Sequence, residues 1–184
     1  MIIAVDGPAA SGKGTLARAL ARHYGLPHMD TGVLYRMLGL AMLRAGHNPA
    51  DAEAAEQAVA TLDPALGADL AIREDTTARA ASVVSAHPGV RAALLARQRD
   101  FAHQPGGAVL DGRDIGTVIV PHADAKLFVT ASPDVRADRR YRELSARDSH
   151  VSREGVLGDI LARDARDSGR LDAPMRAAAD AALL

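Results

Sequence analysis

No cysteine occurs among the 184 residues, which excludes a disulfide framework, thiolate zinc sites and cysteine nucleophiles. Tryptophan is absent too, and three tyrosines and two phenylalanines are the only aromatics. A platform for stacking single-stranded bases is therefore not expected. Neither sign of charge is in excess: 22 basic residues face 23 acidic ones. That balance argues against a general electrostatic grip on nucleic acid or anionic lipid. No apolar run approaches the roughly 18 residues that a spanning helix needs. Met1 to Val5 is apolar but stops at Asp6, without the basic flank of a signal peptide. A cytoplasmic protein is expected. Lysine is scarce as well. Lys13 and Lys126 are the only two, and every other basic residue is arginine. Genome composition accounts for such a bias, so a lysine kept at position 13 stands out.

What is present suits one folded domain. Apolar residues make up 48% of the chain, too many for disorder, and a chain of this length buries roughly 70% of its unfolded surface. Strand and helix signals alternate. Ile2 to Val5 reads as a buried parallel strand. A glycine-rich stretch follows, then a helix stopped by Gly25. Leu26 to Met29 reads as a second strand, and Val33 to Ala45 and Asp51 to Leu62 as helices. Residues 63–77 lack periodicity, and helices are expected at about 77–86 and 88–104. Val109 to Asp111 and Lys126 to Thr130 are the third and fourth strands. Ser132-Pro133-Asp134 is a strong helix start, and two arginine-rich helical segments run to about Arg166. Ala181 to Leu184 reads as a fifth strand. The alternation implies an α/β fold with a five-stranded parallel sheet and helices on both faces. Residues 47–104 carry no convincing strand and read as a helical insert.

Gly7-Pro8-Ala9-Ala10-Ser11-Gly12-Lys13-Gly14-Thr15 fits G-x-x-x-x-G-K between a strand and a helix, the context a phosphate-binding loop requires. Its glycines let successive amides turn inward toward phosphate oxygens, and the helix N-terminus adds partial positive charge. Lys13 supplies a point charge for the β- and γ-phosphates. A dinucleotide fingerprint overlaps, Gly12-x-Gly14-x-x-Ala17 with Asp30 as the ribose acid. That fold puts its first glycine directly after strand one, and here Gly7 to Ser11 intervene. The hydroxyl that usually follows the lysine as a magnesium ligand is displaced by one, to Thr15.

Three more clusters follow strand ends or share a helix face. Asp30-Thr31-Gly32-Val33-Leu34-Tyr35-Arg36 opens a helix at the carboxyl edge of the sheet, where ligands sit in open α/β folds. Thr31 also fits a plain N-cap, and Arg36 a solvated charge. Asp111-Gly112-Arg113-Asp114 follows strand three, and Asp111 is placed like the aspartate of a magnesium shell. A turn is the plainer reading. Arg163, Arg166, Asp167 and Arg170 recur at spacings of three and four and so share one helical face. They form either a surface ion-pair ladder or a comb of guanidiniums suited to several phosphates. Arg136, Arg139, Arg140 and Arg142 form either a solvated helix face or an arm that closes over the donor.

With these motifs the sequence closely resembles the bacterial cytidylate kinase family. The resemblance runs through Gly7–Thr15, Asp30–Arg36, Ala80–Arg99, Leu110–Pro121 and Arg163–Arg170. It implies a P-loop kinase with core segments at about 1–46 and 105–184, a monophosphate-binding insert at about 47–104 and a short lid at about 132–150. It also implies phosphoryl transfer from ATP to CMP or dCMP with magnesium, by a monomer without nucleic-acid or membrane partners. Gly7 to Thr15 and Arg139 would bind ATP, with Thr15 and Asp111 at the metal. Lys13, Arg113, Arg163 and Arg166 would be catalytic. Arg36, Arg113, Arg163 and Arg170 would hold the acceptor phosphate or the transferring group. Ser82, Arg91 and Asp114 would read cytosine and Asp167 the ribose, with Thr31, Tyr35 and Asp111 completing the CMP site. Gly67 to Thr77 is too short for the small antiparallel sheet many members carry, so that part is expected to be trimmed or helical. The family's chain also continues past the fifth strand into a terminal helix, which this sequence does not carry.

No general base is needed, because a phosphate monoester is already largely dianionic at pH 7. The seven histidines are scattered and receive no role. Another small P-loop kinase remains the alternative among enzymes; an alcohol acceptor would use Asp30 or Asp111 as base. A nucleotide switch would carry a guanine-reading N-K-x-D, yet Asn48 is the sole asparagine and precedes no lysine.

Overall fold

A computed structural model of the chain describes residues 1–146 and 151–184. The sheet has five strands in the order β2-β3-β1-β4-β5, all parallel. These are β1 (Ile2–Asp6), β2 (His28–Asp30), β3 (Ala108–Gly112), β4 (Ala125–Phe128) and β5 (Ala182–Leu183). β1 is central, which explains its unbroken apolar run: both faces are covered. Ile3 and Val5 pack with Val109 against Ala17 and Ala21 of helix α1 (Lys13–Tyr24). On the opposite face Ala4 and Leu110 pack against Ala102, Ile115 and Ile119. The expected α/β architecture with helices on both faces is present.

Two sequence expectations shift for local reasons. Leu26 does not begin β2. Its amide bonds Ala21 O at 2.9 Å and completes the helix cap at Gly25, so the strand starts at His28. Helix α2 (Thr31–Arg44) starts two residues early, because Asp30 caps it by accepting from Gly32 N at 2.9 Å. Thr31 is the first helical residue and not the cap.

Residues 47–104 contain no strand, as expected. They form α3 (Ala52–Ala60), α4 (Asp75–Val84) and α5 (Pro88–Ala102). Two 3-10 turns, Pro64–Ala68 and Leu70–Arg73, stand where the shortened segment left no room for a sheet. Leu34, Leu38 and Met42 of α2 pack against Ala55, Val84, Val90 and Leu94. Gly39 lets α2 approach α4, since a Cβ there would lie 2.8 Å from Ala81 N.

Helices α6 (Pro133–Ser145) and α7 (Arg153–Ser168) pack through Ala137, Val156 and Ile160. Ser132 caps α6 and Ser152 caps α7. The last part of the expected lid, residues 147–150, lies outside the described residues. Helix α7 stops at Ser168 with Gly169 as its cap, so Arg170 lies beyond the helix that was expected to carry it. No helix among the described residues is long and apolar enough to cross a membrane.

Candidate active site

The loop after β1 has the backbone that its glycines permit. Gly7 has φ of 147°, and a Cβ there would stand 2.1 Å from Val129 O. Only glycine fits beside β4 at that point. Ala10 lies in the left-handed region at φ of 58°, a strained conformation of the kind that gathers at functional sites. Lys13 Nζ lies 3.4 Å from Pro8 O and so folds back over the loop. Burial first, and then the nearby Arg113 guanidinium, lower the Lys13 ammonium to about 7, against the pull of Asp111 and Asp30.

Asp6 ends β1 and joins the loop to its neighbour. Its two carboxylate oxygens accept from Ile115 N and Gly116 N, each at 2.8 Å. The residues after β3 are thereby held beside the P-loop and turn through a π-type turn, Ile115–Ile119. Burial raises the Asp6 carboxyl to about 6, although both amides favour its charged form.

Asp111 sits at the end of β3, 2% exposed. Its Oδ1 meets His28 Nε2 at 2.7 Å, and its main-chain oxygen accepts from Thr31 Oγ1 at 2.8 Å. Thr31 thus ties α2 to β3. Oδ2 has no hydrogen-bond partner among the described residues. It lies 3.6 Å from where a Cβ on Gly14 would stand, and so faces the start of α1.

Around Asp167, buried on α7, the guanidiniums converge. Arg113 Nε donates to it at 2.9 Å, Arg170 Nη2 donates to its other oxygen, and Arg163 Nε lies 3.8 Å away. Burial opposes the ionised carboxylate, yet Arg113, Arg163 and Arg170 together hold Asp167 below its ordinary range. The cations crowd one another in turn. Burial and Arg113 push Arg163 down to about 9, which leaves it charged at neutral pH. Arg36 and Arg170 are lowered in the same direction, by burial first. Arg163 Nε and Arg170 Nε are buried without a hydrogen-bond partner among the described residues. Such a cluster is short of negative charge.

Next to it lie the groups expected to read the base. Arg91 Nη2 pairs with Asp114 Oδ2, and both side chains are buried. Arg91 Nη1 is 3.4 Å from Tyr35 Oη, and Arg91 Nε is a further buried donor without a hydrogen-bond partner among the described residues. Burial raises the Asp114 carboxyl, against Arg91 and Arg170. Arg166 Nε donates to Ser82 Oγ at 3.1 Å, and Arg170 Nη2 to Ser85 Oγ at 2.8 Å. Arg36 Nη1 donates to Ile72 O at 3.0 Å.

A cleft of about 1000 Å³ runs between these elements. It brings together Ala9 to Thr15, Arg36, Ser82, Asp111, Arg139, Arg163 and Arg166. Thr31, Tyr35, Arg91, Arg113, Asp114, Asp167 and Arg170 do not line it; they form the hydrogen-bonded layer described above. Of the arginine arm, Arg139 Nη1 donates to Ser11 O at 2.9 Å, and Arg140 and Arg142 line the cleft. Arg136 differs from the expected mobile group. It is 3% exposed and fixed by Asp164, Ala131 O and Ala9 O.

Three residues of the site carry no local motif. His28 shares one strand face with Asp30, beside Asp111, an i, i+2 relation that strand pairing alone makes meaningful. Asp6 ends an apolar run and bonds amides over a hundred residues away. Ser85 follows Ser82 by one helical turn, which was the one available signal.

Comparison with known proteins shows the family. The family model described as "Cytidylate kinase" matches residues 3–184. A cytidylate kinase of Methylobacterium sp. (strain 4-46) is 61% identical over 181 residues, spanning 98% of this chain and 86% of that protein. One from Rhodospirillum rubrum is 57% identical over 188 residues, spanning 100% of this chain and 88% of that one. Among solved structures, an uncharacterized protein from Eubacterium ventriosum superposes with a TM-score of 0.55 at 14% identity, over 100% of this chain and 85% of that one, a likeness of fold alone. With a family match over nearly its whole length and relatives well above half identical, the chain belongs to the cytidylate kinase family.

Proposed function

We infer that the protein transfers the γ-phosphoryl group of ATP to CMP or dCMP, giving CDP or dCDP and ADP. The observation that carries this reading is the crowd of cations facing the P-loop. Lys13, Arg36 and Arg163 each have their charged form disfavoured by burial and by neighbouring guanidiniums, with Arg113 acting on all three. Phosphate oxygens arriving between them relieve that repulsion, and the charge that develops on the transferring group is met by donors already in place.

The donor's phosphates would lie in the turn from Gly7 to Thr15, over the start of α1, with Lys13 at the β- and γ-oxygens and Arg139 above the loop. The acceptor's phosphate would be held by Arg36, Arg113, Arg163 and Arg170, with Arg166 entering from the cleft. Its oxygen attacks as it stands. A monoester whose second pKa is about 6 needs no base at neutral pH, so placement and charge carry the catalysis. Asp114, Arg91 and Ser82 would read the base, and Asp167 the ribose, with Tyr35 and Thr31 completing the pocket.

Magnesium fits this donor set. Asp111 Oδ2, without a hydrogen-bond partner among the described residues, lies near the start of α1, and Thr15 lines the cleft with its hydroxyl-bearing side chain. Among the described residues no three His, Asp or Glu side chains gather as a metal group, which suits an ion held by one or two protein oxygens with phosphate and water. When bound, magnesium supplies charge neutralisation and orientation of the donor phosphates.

A coupled ADP-release assay across CMP, dCMP, UMP, AMP and GMP tests the reading. CMP and dCMP should exceed the rest in kcat/KM by at least about 10²-fold, a lower bound for a pocket that hydrogen-bonds its substrate. Equal use of AMP or UMP would contradict it.

A further inference from the structure

The mechanism uses one carboxylate at the end of β3, and its orientation needs a cause. Asp111 is 2% exposed, and its one side-chain partner among the described residues is His28, 18% exposed. In the β2–β3 register His28 stands opposite Val109, and Asp30 opposite Asp111. Residues two apart in a strand share a face, and paired residues project together. His28, Asp30 and Asp111 therefore rise from the face on which Val109 packs against Ala17 of α1. With Oδ1 tied to His28 Nε2, the free Oδ2 is the oxygen beside Gly14.

We propose that His28 is a positioning residue: by donating from Nε2 to Asp111 Oδ1 it presents Oδ2 to the divalent cation that accompanies the donor nucleotide. The proposal rests on the reading of Asp111 as a carboxylate of the magnesium shell. A carboxylate held at one oxygen has one orientation; released, it turns about its last bond and spends part of its time facing the sheet. Nε2–H donates in the neutral ring with its proton on Nε2 and in the imidazolium alike, so the tie does not depend on the charge of His28. Partners that orient a metal-binding carboxylate commonly change metal affinity by about 10- to 100-fold when removed. Here the lower end is expected, because water and phosphate supply most of the shell.

The test uses Mn²⁺ as the probe, titrated by electron paramagnetic resonance into the full-length protein saturated with ADP, for wild type, His28→Leu, His28→Gln, His28→Asn and Asp111→Asn. His28→Leu should weaken Mn²⁺ about tenfold and lower kcat, with KM for CMP within twofold of wild type. Glutamine carries a donor at the Nε2 distance, so His28→Gln should return Mn²⁺ affinity to within about threefold, while the shorter asparagine should not. That Gln–Asn contrast decides the matter if the leucine variant does not fold. Wild-type Mn²⁺ affinity in His28→Leu, or in the folded His28→Asn, would overturn the positioning role. So would a folded His28→Gln no better than His28→Asn. If Asp111→Asn weakens Mn²⁺ and the His28 variants do not, only the positioning role falls. If Asp111→Asn also binds Mn²⁺ normally, the metal reading of Asp111 falls with it.

Discussion

Arg113 and Asp167 meet at 2.9 Å although 54 residues separate them in the chain. One follows β3 and the other ends α7, so this contact joins the sheet edge to the helical arm. Asp167 serves Arg170 and Arg163 at the same time. Replacing it strands buried positive charge, which costs about 3 kcal/mol or more. Asp167→Asn should lower stability by about that amount at pH 7 in urea unfolding. The carboxyl is held below its ordinary value of 3.8, so its contribution is present above about pH 4 and is lost as pH falls through the depressed value. The gap between wild type and variant should therefore narrow below pH 4. A gap that is absent at pH 7, or that does not change with pH, would contradict the assignment.

Lys13 gives a prediction about protons. Its ammonium is held down to about 7 by burial and by Arg113, and phosphate oxygens reverse the second cause. At pH 8 the free protein carries mostly neutral Lys13, so ATP binding should draw a proton from solvent. At pH 6 the lysine is already charged and uptake should vanish. Calorimetry in buffers of different ionisation heat measures the proton count. Lys13→Ala should abolish the uptake and lower turnover by about 10²-fold or more. Uptake that persists in the variant would assign the proton to another group.

The cleft walls come from separate parts of the chain, and their contacts at the rim are ion pairs. Arg79 on α4 meets Asp159 on α7 at 2.7 Å, and Arg140 on α6 lies 3.8 Å from Asp75 on α4. The Arg79–Asp159 pair is exposed and such pairs hold weakly, while Arg140–Asp75 is half-buried but long, so the walls can part to admit two nucleotides. The insert and the arm should close when both substrates bind, excluding water that would hydrolyse ATP. Small-angle scattering should show a smaller radius in the doubly liganded protein, and hydrogen exchange should slow in 47–104. Equal radii and equal exchange would contradict closure.

The residues legible in the sequence are those whose role is set by their immediate neighbours. Gly7 to Thr15 announce a phosphate loop because the turn, the glycines and the helix start are contiguous. Ser132 and Pro133 announce a helix for the same reason. The arginine comb was legible through Arg170, whose contact with Asp167 keeps the i, i+3 spacing, although the helix itself ends at Ser168. His28 was silent because its partner lies on another strand, where pairing register decides which side chains meet, and Asp6 because its partners are amides of the turn after β3, over a hundred residues away. Arg136 looked like its arm neighbours in composition, and the difference is burial against Asp164, which depends on how α6 and α7 dock.

Asp114, the residue proposed to read the base, pairs with Arg91 and not with its neighbour Arg113. Cytosine presents an amino donor beside an acceptor nitrogen, and uracil reverses both. A carboxylate accepts from the amino group but meets a carbonyl oxygen in uracil and is left unpaired. Burial raises the Asp114 carboxyl above its ordinary 3.8, so it gains a proton at a higher pH than a free aspartate. Protonated, it becomes a donor suited to uracil. The ratio of kcat/KM for CMP to that for UMP should therefore fall as pH falls, and ionisation of the acceptor phosphate, common to both substrates, cancels from the ratio. The decisive measurement is that ratio at pH 7.5 in wild type and in Asp114→Ala. Wild type should favour CMP by at least about 10²-fold, and the variant should lose most of that preference, chiefly by slowing CMP. An unchanged ratio in a folded Asp114→Ala protein would contradict the account.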